Sequence, residues 1–409
     1  MNNLLSEFPE RKALADWYKK TGNSNIYDVN GHIHSPYSFS AFDNLDQAFK
    51  MAMDEQVRVL GINDFNTTEG YMEFYGLSLK YRIFPLFNIE FMGLLKDEQK
   101  RGIRINDPNN PGRIYFSGKG LDFPGSWGKG PRELVNGLNE ECHIQVKMMV
   151  QKLNEYLRTL DSMLYLDFDV IKNKYTRGMV RERHIVRALR LLIEERFRTP
   201  EDRKMFQLKL YGDNDPAADI LDIAAFENEL RGRLLKSGGV AFVEEDPSAF
   251  LSLDKIMYLI KDAGGIPCYP VLLDDIKGWH TEFESNMEEL YNNFLSWNIS
   301  CIELIPCRND IRELKKFVSF FRKKGFLILF GTEHNTPSLE PLKVSARGGV
   351  SLDEQLREIS FEGACIVAAH QYLRAQGEEG YLPSTERLTE DSRKEFVKLG
   401  KAVIEKFLQ

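Results

Sequence analysis

Seven short apolar runs punctuate the chain: "IYDVNGHIH", "VRVLGINDF", "RIFPLFNIEF", "RIYFSGKG", "GGIPCYPV", "ISCIELIP" and "GFLILFGTEH". Their length and the turn residues around them predict strands. Segments with apolar residues at helical spacing precede or follow most of them: "NLDQAFKMAMDEQ", "SLDKIMYLIKDAG", "NMEELYNNFLSWN" and "DIRELKKFVSFFRKKG". Strands alternating with helices predict a parallel α/β sheet or barrel.

Residues 1–20 read as one helix, with Leu4, Leu5, Phe8, Leu14, Trp17 and Tyr18 near helical spacing. Between the fourth and fifth strands, Pro131 to Gly239 reads as a mostly helical insertion. The tail after Pro337 is helical again. The expected organisation is an N-terminal helix (1–27), a barrel (28–130 and 240–340), the insertion as a lid (131–239), and a C-terminal helical extension packed on the barrel (341–409).

Composition narrows the setting. With 409 residues and 43% hydrophobic content, the chain can bury a large core. It lacks an apolar stretch of about 18 residues and a signal-peptide core at its start, so a cytoplasmic protein with no membrane partner is expected. The net charge of −7 argues against a nucleic-acid polymer as partner, although Lys172 to Arg190 is locally basic. Five cysteines form no CxxC pair, so reduced thiols are expected and any metal must be held by histidine and carboxylate.

Polar residues cluster at strand ends, where barrels of this class gather their chemistry. His32 and His34, Asp64, Glu90, and Glu333 with His334 each end an apolar run. In an H-x-H pair on extended backbone both imidazoles point to one side, and a carboxylate from another strand completes a site suited to zinc, manganese or iron.

The order of segments resembles the PHP (polymerase and histidinol phosphatase) domain family, in its metal-dependent phosphoesterase form with a helical insertion. The stretches that carry the likeness are "HIHSPYSFS", "GINDFNTT", "LFNIEF", "IYFSGKGLD", "RERHIVRAL", "AGGIPCYP", "SCIELIP" and "GTEHN", in register over roughly residues 28 to 337. The resemblance implies a distorted (β/α)7 TIM-like barrel, the PHP fold, with a helical insertion and C-terminal helices. It matches His32, His34, Glu90 and Glu333 to metal ligands and Asp64 to the aspartate that would orient water or act as base. His334 lies beside the last ligand position. Arg183 and His184 match the insertion motif and imply a phosphate contact.

Other family ligand positions hold Phe39, Phe65 and Asn335, which together would have held a separate ion, and Tyr115 and Tyr269. Phenylalanine has no lone pair to offer a cation. The expectation is therefore one divalent ion instead of three, in a pocket walled by these five residues. The expected activity is hydrolysis of a small phosphorylated substrate by metal-activated water. The rival is a ligand-binding or regulatory barrel without catalysis. Arg308, Asn309, Ser345 and Arg347 offer a further anion cradle or ordinary loop chemistry, Trp127 and Trp279 pocket walls, and Cys268 and His370 packed interior residues.

Overall fold

The computed structural model describes residues 3–23, 25–125, 127–275, 277–381 and 388–409. Seven strands form one sheet in chain order: β1 Asp28–Ile33, β2 Val57–Phe65, β3 Phe84–Leu94, β4 Arg113–Lys119, β5 Ile266–Val271, β6 Cys301–Leu304 and β7 Leu327–Phe330. Each falls inside one of the seven apolar runs, except that β3 continues from Phe91 to Leu94. The sheet curls until its ends meet: Glu333 bridges Ile33, and the backbone N–H groups of Thr332 and Glu333 donate to His32 O, at 3.2 and 2.8 Å. The result is a nearly closed barrel. Gly331 lets this seam form, since a Cβ there would collide with His32.

β2 is buried at every position but Arg58, and β3 is nearly as continuous. Strands covered on both faces need apolar residues throughout, which is why these runs do not alternate. The covering helices include Leu45–Asp54, Leu253–Asp262, Met287–Ser296 and Ile311–Lys323, all within the stretches that sequence periodicity marks. The helix Tyr71–Tyr81 was not legible, because aromatic and polar residues mix around its circumference.

One strand departs from the expected parallel order. β4 runs antiparallel to both neighbours. The link from β3 carries only the short helix Lys96–Lys100, whereas a parallel return needs a full crossover. Its first residues, Arg113 and Tyr115, therefore lie toward the C-terminal ends of the other strands. Its last, Lys119, lies beside Ile266, the first residue of β5.

The N-terminal helix also differs from expectation. It divides into a 3-10 turn, Leu4–Glu7, and an α-helix, Arg11–Thr21. Pro9 forces the preceding Phe8 into extended backbone, at φ −66° and ψ 152°. Residues 1 and 2 of the stretch lie outside the described residues.

Buried apolar side chains form two clusters. One fills the barrel and joins it to the helices Glu354–Ala375 and Glu390–Leu408, which pack so closely that Gly400 touches the backbone of Cys365. The other lies wholly between Cys142 and Val243, among the helices that follow β4. No helix among the described residues is long and apolar enough to cross a membrane.

Candidate metal centre

Three side chains from β1 and β3 converge at the barrel mouth. His32 is the fifth residue of β1, His34 follows its end, and Glu90 lies on β3 opposite the last residue of β2. All three are buried, and one ligand atom from each lies within 4.8 Å of the others. The Nε2 atoms of the two histidines are 3.2 Å apart, and Glu90 Oε2 is 3.4 Å from His34 Nε2 and 3.9 Å from His32 Nε2.

Hydrogen bonds on the far side of each imidazole fix what it presents to this meeting point. His32 Nδ1 lies 2.8 Å from Glu303 Oε2, and an ionised carboxylate only accepts, so Nδ1 carries the proton and Nε2 keeps a lone pair. His34 Nδ1 lies 3.4 Å from Ser38 Oγ, whose own proton goes to Asp64 Oδ1 at 2.6 Å. Ser38 must then accept from His34, and Nε2 again keeps its lone pair. Glu90 Oε2 has no hydrogen-bond partner among the described residues.

Three acceptors thus face one another; an amide donor, Asn63 Nδ2, lies 3.0 Å from His32 Nε2 and 3.2 Å from its Nδ1, and Glu90 Oε2 has no donor among the described residues. That arrangement repels itself unless a cation or a shared proton stands there. Two imidazole nitrogens and a carboxylate oxygen are a donor set for a divalent transition ion, and ligands at about 2.1 Å from a common ion lie roughly 3–3.5 Å apart. Carboxylates behind both histidines complete the usual support for such ligands.

Burial governs the electrostatics. It lowers both imidazoles below their ordinary range, His34 to about 3 with Arg181 adding to the effect, so both stay neutral near pH 7. It pushes Glu90 up to about 7. For Glu303 burial acts upward too, but Lys119 and His32 overcome it and hold the carboxyl down at about 2. Lys119 Nζ is 2.7 Å from Glu303 Oε1.

Other expected site residues stand around this group. Asp64 does not face it: Ser35 N (2.7 Å), Ser35 Oγ and Ser38 Oγ engage both its oxygens, and burial raises it to about 6 against those bonds. Its place is behind His34. Glu333 lines the pocket but pairs with Arg308. His334 turns away, with Nδ1 2.7 Å from Thr332 Oγ1, Nε2 2.7 Å from Glu340 O, and its ring stacked on Phe42. Left-handed backbone at both residues, φ 76° and 54°, bends the strand end so that Glu333 points in and His334 out.

His184 is buried and caps its own helix by accepting from Arg181 N at 2.9 Å. Arg183 lines the pocket, its guanidinium 2.8 Å from Asn228 Oδ1 and over the Phe39 ring. Phe39, Phe65, Tyr115 and Asn335 line the pocket, whereas Tyr269 is core, with its hydroxyl 2.8 Å from Glu284.

The pocket has a volume of about 510 Å³ and lies between the barrel mouth and the helices after β4, which contribute Cys142, Gln145, Arg181, Arg231 and Lys236. Arg181 stacks over Phe65, itself stacked on His34. Arg181 and Arg183 form no ion pair with a carboxylate among the described residues.

Sequence reasoning missed the roles of Lys119, Glu303, Asn63, Ser38 and Arg181. Lys119 ends an apolar run as the chosen residues do, and Glu303 is a lone charge inside one, so a signal was available. Arg347 and Asn309 bind neighbouring loop carbonyls and Asp274, which accounts for "KVSARGG" as loop structure. His370 is packed between Gly264 O and Tyr381 N, and Cys268 is buried in β5. Trp127 packs against Phe91, and Trp279 is exposed.

No family model matches the chain, and no curated protein matches it in sequence. Solved structures do. A provisionally assigned metal-dependent phosphoesterase from Bifidobacterium adolescentis aligns with a TM-score of 0.51 and 14% identity, over 82% of this chain and 96% of that one. An amidohydrolase from Chromobacterium violaceum, with bound sulfate and no metal, aligns with a TM-score of 0.49 and 13% identity, over 81% and 96%. At these identities the likeness speaks for the fold. The chain has the TIM-like α/β barrel that its strand order describes.

Proposed function

We propose that the protein is a metal-dependent hydrolase of the PHP phosphoesterase type, acting on a small phosphorylated substrate. The observation that carries the reading is the convergence of three acceptors, His32 Nε2, His34 Nε2 and Glu90 Oε2, the last without a hydrogen-bond partner among the described residues. These residues would hold one zinc, manganese or iron ion. Such an ion, when bound, supplies Lewis acidity and a water of lowered pKa.

The chain's own residues do the rest. Glu303 and the Ser38–Asp64 pair hold the imidazoles in register. Arg181 and Arg183, lacking carboxylate partners among the described residues, offer planar donors to a phosphate. The helices after β4 line the pocket from the side facing the barrel mouth.

The test is a panel of phosphate monoesters and diesters, mononucleotides included, with each divalent metal. Turnover should appear in the wild type and vanish in Glu90→Gln. A second reading, a ligand-binding barrel without turnover, draws on Glu333, whose pairing with Arg308 removes a carboxylate that lines the pocket from acid–base work. Ligand binding without turnover across the panel would select it.

A further inference from the structure

Lys119 has no contact with the pocket, yet it sits directly behind the candidate centre. The side chain is fully buried at 0% exposure, and because β4 runs antiparallel it enters the barrel from the end away from the pocket. Lysine offers three donors and no acceptor. The acceptors it meets are Glu303 Oε1 at 2.7 Å and Asn63 Oδ1 at 3.1 Å.

Both contacts pass on to His32. The other oxygen of Glu303 takes the Nδ1 proton at 2.8 Å. Asn63, its oxygen held by the ammonium, turns its amide nitrogen toward the imidazole, where it lies 3.0 Å from Nε2 and 3.2 Å from Nδ1. Nearly equidistant from the two nitrogens, it holds the ring's place without choosing its tautomer. The tautomer is therefore set through Glu303.

We propose that Lys119 is a positioning residue which, through Glu303, fixes His32 with its proton on Nδ1 and a lone pair on Nε2, and so sets the metal affinity of the centre from below. The inference rests on the metal reading above. A lysine suits the task because the ammonium balances the buried carboxylate, leaving the imidazole free to serve the ion. A structural ion pair alone would affect folding; this arrangement also governs what a folded molecule binds.

The test measures zinc affinity by chelator competition for the full-length wild type, Lys119→Met, and Lys119→Met combined with Glu303→Gln, each shown to be folded by circular dichroism. Lys119→Met should lose about 10- to 100-fold in affinity. The double variant should recover most of it, because the amide oxygen of Gln still accepts from Nδ1 and no lone buried charge is left. Lys119→Met binding zinc like the wild type, or a folded double variant binding no tighter than Lys119→Met, would overturn the proposal.

Imidazole ¹⁵N spectra of the metal-free wild type test it without variants or metal. A proton on Nδ1 of His32 supports the relay, and a proton on Nε2 alone overturns it. Absence of zinc binding by the wild type, with Nδ1 protonated, would instead count against the metal reading.

Discussion

Two groups of side chains at the barrel mouth balance their charges differently. On the β1–β3 side, Glu90 and the two histidines present acceptors to one another, and the nearest cation, Lys119, is spent on Glu303 behind them. Around these three acceptors, Arg308 pairs with Glu333, while Arg181 lies over Phe65 and Arg183 and Arg187 over Phe39. Guanidinium on a phenyl face is a favourable contact that calls for no ion. The contrast locates the candidate ion: the three acceptors have no cation among them, whereas each of these arginines has a carboxylate or a phenyl face.

The largest expected effect separates the two groups by stability. Glu303→Ala leaves Lys119 buried without its carboxylate and should cost on the order of 3–5 kcal/mol in denaturant unfolding. Arg308→Ala acts on a half-exposed pair and should cost about 1 kcal/mol or less. Equal losses would break the comparison.

The next effect is a pH dependence. In metal-free protein Glu90 keeps its proton up to about pH 7, whereas unfolded it loses it near 4.5. Between those values the folded state holds more protons, so wild-type stability falls as pH rises through the window. Relative to Glu90→Gln the loss should reach on the order of 3 kcal/mol by pH 8. Saturating zinc should abolish or reverse that slope, and an unchanged slope would argue against Glu90 as a ligand.

Smaller changes sharpen the first group. Ser38→Ala unties His34 from Asp64 and should weaken zinc binding about 10-fold, as read by chelator competition. His334→Ala should leave zinc affinity unchanged, since both its ring nitrogens are engaged away from the pocket. A marked loss there would return His334 to the ligand set.

Much of the fold was legible because strands buried on both faces must be apolar throughout, and all seven runs became strands. The direction of β4 was not, since apolar content is indifferent to strand sense and only the short crossover from β3 signals it. At the site, H-x-H spacing placed His32 and His34, and position on β3 placed Glu90. The fates of Glu333 and His334 depend on left-handed backbone at two consecutive residues, which no spacing rule anticipates. Lys119 and Glu303 meet across 184 positions of sequence, so only the closed barrel reveals their pairing.

The most direct test of a single ion at the mouth is elemental analysis of full-length protein after equilibration with zinc and removal of the excess. The account predicts about one equivalent per chain, lost in His32→Ala and kept in His334→Ala. A wild type that retains no metal, or one that retains two or three equivalents, would contradict it.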